Sequence, residues 1–319
     1  DCKIGETLIF SSMLGCLDPA LTIAACLSFK SPFSAPLDQR DAADRSRRAM
    51  AAAGSGNIAA AQYSDHLTML AACNGWRDSG GQRGGRRFAR ANYLSESTLG
   101  MIAELKAQLA AMLADIGFLS HSRGGGGGGS HLERARRMAE DRRAPWNINA
   151  EKPGMIKAAL CAGLYPNVAI MEQQGPLGAL DTSGAKWFDT DAKEVALHPS
   201  SINHGGGSPL RHPYPFVVYL EKIKTSKTFL RDTTVLSPYA LLLFGGEISV
   251  QHEQGLVLVD GWVKLKAPAQ TAVLFKELRS ALDAELGLRV LDPGRESLAT
   301  GPLVKALVQL LEDEGRRTA

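Results

Sequence analysis

The side chains with most to offer a ligand lie in the run FVVYLEKIKTSKTFLR, residues 216–231, where Lys222, Lys224, Lys227, Phe229 and Arg231 crowd together. Residues 216–220 are apolar or aromatic, and Lys222 and Lys224 then alternate with Glu221 and Ile223, the period of a half-buried strand. Thr225 and Ser226 are short polar residues suited to a hairpin tip. Side chains two apart on a strand point the same way, so the return strand sets Lys227, Phe229 and Arg231 in one row. Cations on either side of an aromatic ring suit a nucleic-acid backbone with a base laid on the ring. The competing reading is a solvated hairpin with Phe229 turned into the core.

Other residue groups promise less chemistry. Ser64, Asp65 and His66 are the types of a hydrolytic triad, but a triad converges from separate elements, whereas consecutive residues at a helix start read as a cap. His198, His204 and His212 share one stretch without Cys or carboxylate partners at metal-ligand spacing, which leaves them as loop histidines. GGQRGGRR, residues 80–87, is glycine-rich and basic, yet it lacks the Lys-Ser/Thr pair of a phosphate-binding loop and reads as a flexible turn. No GxxxxGK[ST] occurs in the sequence, so nothing in these residues supplies an ATPase of that kind.

The elements that must position the hairpin follow from composition. With 319 residues, 45% of them hydrophobic, the chain can bury two cores. Lys+Arg 36 against Asp+Glu 33 gives a net charge of only +3, so a polyanion partner needs a local patch. The five cysteines lack CxxC spacing and sit among apolar residues, which points to reduced thiols in cytoplasm or nucleus. The chain begins at Asp1 without an initiator Met and is read as part of something longer. Residues 7–29 are too interrupted by Asp18 and Pro19 to span a membrane, and no membrane partner is expected.

Apolar spacing predicts helices over 4–17 and 20–29, with Asp18 as the cap of the second, then 41–53, 67–75 and 97–118. Residues 54–56 read as a loop. Residues 121–150 hold six glycines and an Arg/Glu run, and read as a poorly ordered linker. A helix over 154–162 then leads into short strands near 164–169 and 195–201, the hairpin, a helix capped by Ser237, and a last hairpin across Asp260-Gly261. The expected fold class is α+β: a helical bundle (1–120), the linker (121–150), a small barrel of the oligonucleotide-binding (OB) type (151–269) and closing helices (270–319).

Six stretches, in order, carry a resemblance: GCLDPALTIAACLSFKSPF (15–33), SDHLTML (64–70), ANYLSESTLGMIAELKAQL (91–109), KAALCAGLYPNVA (157–169), HPSSIN (198–203) and SPYALLLFGG (237–246). Together they resemble the C-terminal region of DEAH/RNA helicase A-like ATP-dependent RNA helicases, across nearly the whole chain outside the glycine linker and the last helix. The hairpin looks closest to the branch bearing ubiquitin-associated or zinc-finger modules.

That resemblance implies a helicase-associated ratchet domain followed by an OB-fold domain, both lining the exit of a tunnel for single-stranded RNA. The RecA-like motor domains, with their ATP and Mg, and most of a winged-helix domain are then partners within the same polypeptide and absent from this chain, which carries no cofactor and no catalytic residue of its own. RNA contacts carry over to Ser28, Asn92 and the tip from Lys224 to Lys227. For Ser28 the alternative is a hydroxyl bonded back to a helix carbonyl, and for Asn92 a cap or turn residue. The other functional reading is a docking platform, in which residues 222–231 meet an acidic or glycine-rich activator protein or a ribonucleoprotein.

Overall fold

The computed structural model of the chain describes residues 2–36, 38–53, 63–119, 129–172, 185–205, 212–293 and 298–317. The loop at 54–56 and the glycines at 124–128 lie outside them. Helices α1 (Cys2–Leu14) and α2 (Leu17–Ser28) form a hairpin that reverses at Gly15, whose φ of 76° suits a residue without a Cβ. Asp18 is therefore inside the first turn of α2 rather than its cap. Its carboxylate takes the Lys106 ammonium, and its backbone N–H donates to Asn147 Oδ1 at 2.8 Å.

Helices α3 (Arg40–Ala53), α4 (Asp65–Asp78), α5 (Gly81–Gly84), α6 (Arg86–Ala91) and α7 (Glu96–Asp115) complete the helical part. The GGQRGGRR stretch is thus two short helices, not a flexible turn. Gly85 of this stretch and Gly75 of α4 serve close packing: a Cβ on Gly85 would lie 2.4 Å from Trp76 Cδ1, and one on Gly75 2.3 Å from Phe88 Cζ.

Residues 129–150, expected to be linker, fold onto the same bundle. Helix α8 (His131–Glu140) opens with a reciprocal capping box between Ser130 and Glu133. It buries Ala135 and Ala139 in one core cluster with Leu17, Leu21 and Leu113. Asn147 Nδ2 closes its far end on the Ala139 carbonyl at 2.6 Å. Alanines spaced between charged residues hid this apolar stripe.

Helix α9 (Pro153–Leu164) packs on α1 so closely that a Cβ on Gly163 would fall 2.0 Å from Thr7 Oγ1 and 2.5 Å from its backbone nitrogen. It delivers the chain into a closed five-stranded barrel made of β1 (Val168–Met171), β2 (Trp187–Asp189), β3 (Glu194–Leu197), β4 (Phe216–Lys224) and β5 (Thr228–Leu236), in the order β1-β2-β3-β5-β4. All neighbours are antiparallel except β3 and β5. The architecture is the expected α+β, a helical bundle followed by a small barrel and closing helices.

The last hairpin is not part of that barrel. Helix α10 (Pro238–Phe244), capped by Ser237, carries the chain away, and β6 (Ile248–Gln251), β7 (Leu256–Val259) and β8 (Val263–Lys266) form a separate sheet. Helices α11 (Ala269–Leu291) and α12 (Pro302–Arg317) close the fold. Arg289 of α11 reaches back to donate to the Phe118 carbonyl at 3.2 Å. One core cluster joins Leu14, Ile23 and Leu67 of the bundle to Val168, Leu241, Val263 and Leu307, so the helical and barrel parts share buried surface. Among the described residues no helix is long and apolar enough to cross a membrane.

Candidate nucleic-acid interface

The hairpin of β4 and β5 runs in register from Phe216 opposite Leu236 to Lys224 opposite Thr228. The register is constant, but the ladder breaks once, at Leu220 and Asp232, where Asp232 takes a φ of 52°. Below the break Val217, Tyr219 and Val235 fill the barrel; above it Leu230 does, and its cross-strand partner is Lys222. The break therefore turns Lys222 toward the barrel end, where its ammonium meets the buried Asp189 carboxylate at 2.6 Å and lies 5.8 Å from the Tyr219 ring. Lys222, expected among the RNA contacts of the hairpin, is paired within the fold.

Glu221, Ile223, Phe229 and Arg231 share the opposite, outer face. Arg231 lies 3.4 Å from its cross-strand partner Glu221. Lys227 does not join Phe229 and Arg231 in the expected row. It sits in the turn, where its carbonyl accepts the Thr225 N–H at 2.9 Å, and Lys224, Thr225, Ser226 and Lys227 are all exposed. Neither Lys224 nor Lys227 has an anionic partner among the described residues, which leaves the tip as the uncompensated positive end of the hairpin.

Phe229 is half-buried, neither in the core nor fully free. Its ring meets the edge of His198 at 5.8 Å, because β3 lies parallel to β5 and pairs Ala196 with Phe229. His198 Nδ1 is 2.7 Å from Ser200 Oγ, and the Ser200 carbonyl accepts from Arg47. The Arg47 guanidinium in turn covers the Phe33 ring at 4.7 Å. Phe33 bridges to Leu94, two residues past Asn92. A continuous strip thus leads from the hairpin across β3 and α3 to the end of α6. Burial first, then the charge of Arg231, lowers the His198 pKa, so the ring is neutral in a positive field.

Asn92 terminates α6: its side-chain amide donates to the Phe88 carbonyl at 2.9 Å, and Ser46 Oγ lies 3.4 Å from its Oδ1. Ser28 is exposed at the end of α2, followed by Phe29, itself 49% exposed. The structure brings Asn92, Phe229, Arg231 and the tip toward one strip and leaves Lys222 aside. Sequence reasoning gave no role to Arg47 of α3 and read His198 only as a loop histidine, although HPSSIN marked the loop that begins at His198 and accepts from Arg47 at Ser200.

The strip is fixed by a buried seam that starts from the Ser64-Asp65-His66 triplet. Ser64 is the α4 cap, accepting from the Leu67 N–H at 3.1 Å, and its hydroxyl lies 2.7 Å from that of Thr234. The Asp65 carboxylate, wholly buried, accepts from Arg47 at 3.0 Å, Ser201 Oγ at 2.6 Å, the Ile202 N–H at 3.0 Å and the Thr233 N–H at 2.9 Å. Arg48 adds bonds to the Ile202 and His204 carbonyls at 3.1 and 2.8 Å. His66 Nδ1 lies 2.6 Å from Thr234 Oγ1, and burial lowers its pKa to about 4. No nucleophile-base-acid line forms here; the triplet clamps α4 to β5 and to the loop after β3. His212 packs between Tyr63 and Trp187, apart from His198 and His204.

A helical bundle clamped to a closed five-stranded barrel that carries a basic hairpin is an architecture of the OB class. Three family models match in order: the ratchet-like helicase associated domain (HA2) over residues 1–69, the oligonucleotide/oligosaccharide-binding (OB)-fold over 156–248, and the C-terminal domain in RNA helicases over 255–313. The chain is 38% identical to the DExH-box ATP-dependent RNA helicase DExH4, chloroplastic, of Arabidopsis thaliana, over 99% of its own length and 22% of that protein. It is 32% identical to the ATP-dependent RNA helicase DHX29 of Homo sapiens, over 98% of the chain and 21% of the relative. With the ATP-dependent DNA/RNA helicase DHX36 of Bos taurus it shares 37% over 91% of the chain and 26% of the relative. The chain thus spans about a fifth to a quarter of the curated relatives it matches. It belongs to the DExH/DEAH RNA helicases and corresponds to their C-terminal region.

Proposed function

We propose that this region holds single-stranded RNA along the strip from the Lys224–Lys227 tip, past Phe229, His198 and Arg231, toward Asn92 and Ser28, while a RecA-like motor elsewhere in the helicase steps. The observation that carries the reading is the exposed, uncompensated lysine tip continuous with a half-buried aromatic ring in a positive field. Phosphates would pair with the lysines and a base would lie on Phe229. ATP and Mg belong to the motor's chemistry, and the motor and winged-helix domains are the intramolecular partners. Free, mostly buried cysteines suit a reducing compartment, the cytoplasm first.

Photo-crosslinking of a 4-thiouridine oligonucleotide to the chain, mapped by mass spectrometry, tests this. Adducts at the tip, Phe229 or His198 support it. RNA that binds without labelling any of these residues contradicts it, and capture of a protein through the hairpin that survives nuclease favours the docking platform. Because one relative carries DNA/RNA in its name, a DNA oligonucleotide of the same sequence is the natural second arm.

A further inference from the structure

We propose that Cys26 and Cys73 form a dithiol that a peroxide converts reversibly to a disulfide, with Cys73 meeting the oxidant and Cys26 resolving it. Cys26 lies in α2 and Cys73 in α4, and their sulfurs are 3.7 Å apart. Both belong to one buried cluster, in which Ala25 and Ala72, the chain neighbours of the two cysteines, are also buried; small side chains let the helices stand close. A disulfide needs a sulfur separation of ~2.05 Å, which side-chain rotation and a slight approach of the helices can supply. Cys16 and Cys161 are engaged elsewhere, with the Met155 and Ala240 carbonyls at 3.7 and 3.6 Å, and Cys2 is exposed on α1.

The two thiols are not equivalent. Cys73 lines a groove of about 910 Å³ among α4, α5, α7 and α8, together with Trp76, Arg77, Arg83 and Lys106, whereas Cys26 stands behind it at 2% exposure. An oxidant therefore reaches Cys73 first. The bond from Cys73, then burial, holds the Cys26 thiol protonated, so Cys26 is not the first of the two to meet the oxidant.

Cys73 sulfur attacks one peroxide oxygen and the O–O bond breaks; the departing hydroxide takes the Cys73 proton and leaves as water, with Cys73 as a sulfenic acid. Cys26 sulfur then attacks Cys73 sulfur, the S–O bond breaks, and hydroxide leaves as water with the Cys26 proton. Two electrons from the thiols have reduced hydrogen peroxide to two waters. The bond would join α2, which ends at Ser28, to α4, which begins at the Asp65 clamp.

The test treats the folded chain with hydrogen peroxide, blocks remaining thiols in denaturant, and maps tryptic peptides without reduction. The expected product is peptide 4–30 joined to 49–77 with loss of two hydrogens, fragment ions placing the link at Cys26 rather than Cys16, and release by dithiothreitol. The oxidised chain should also show a raised urea midpoint. In Cys26→Ala the sulfenic acid should persist at Cys73 and be trapped by dimedone. Peroxide that converts Cys2 while Cys26 and Cys73 stay free, or that links either of them to another cysteine, overturns the proposal, as does failure of dimedone to label Cys73 in Cys26→Ala.

Discussion

Replacing Asp65 by Ala removes the acceptor on which the seam converges. Its carboxylate is wholly buried and takes bonds from the Arg47 guanidinium, two hydroxyls and the backbone N–H groups of Ile202 and Thr233. Breaking a buried ion pair from one side costs about 3–5 kcal/mol, because the other charge stays behind. Each stranded backbone donor would add about 1–3 kcal/mol if counted alone. Members of one network do not add, and Arg47 keeps the Ser200 carbonyl, so the expected loss is about 4–5 kcal/mol. Asp65→Asn keeps shape and one acceptor oxygen and should lose about half as much. Urea unfolding followed by far-UV circular dichroism measures both. A loss below ~1 kcal/mol for Asp65→Ala, the range of ordinary surface changes, would refute the clamp.

Gly163→Ala should cost about 1–3 kcal/mol by overpacking α9 against the Thr7 backbone, read in the same urea titration; an unchanged midpoint would mean the two helices have slack. His66, with a pKa near 4 in the fold against 6.5 unfolded, is protonated first in the unfolded chain, so stability present above pH 6.5 is lost as pH falls toward 4, by about 3 kcal/mol. Asp232, raised to about 6 by burial and then by Asp65, works in the opposite direction as pH falls from 6 to 3.8. The clean readout is therefore the difference between wild type and His66→Gln, which should shrink on acidification; a pH-independent difference would contradict a neutral buried imidazole. Phe229→Ala should weaken RNA binding by about 1–3 kcal/mol with an unchanged salt slope, measured by fluorescence anisotropy; a large fall in melting temperature instead would make the ring part of the core.

Much of the fold was legible in the sequence where apolar spacing was long and regular. The helix at 97–118 declared itself because one face repeats at 3.6 residues, and the hairpin flank at 216–220 because a short apolar run of β-branched and aromatic residues leads into polar alternation. Helix α8 did not, since its buried stripe is only Ala135 and Ala139 inside an Arg/Glu run next to glycines. The glycines of residues 80–87 looked like flexibility, but contact with Trp76 explains Gly85. In the site, alternation was read straight along β4, so the face change at Leu220 and Asp232 that hands Lys222 to Asp189 was invisible. Asp65 was read locally as a cap candidate. Its partners at 201, 202 and 233 are more than a hundred residues away, which no local pattern reports.

The most direct test of RNA holding by the hairpin is the salt dependence of single-stranded RNA binding in wild type and in the Lys224→Ala, Lys227→Ala double variant. Each lost phosphate contact on a single strand lowers the slope of log K against log salt by about 0.7, so the account predicts a drop of roughly 1–2 with weaker binding. Both lysines are exposed, so the urea midpoint should stay put and unfolding cannot explain the loss. Unchanged affinity and slope in the double variant would contradict the account and take the hairpin off the RNA path.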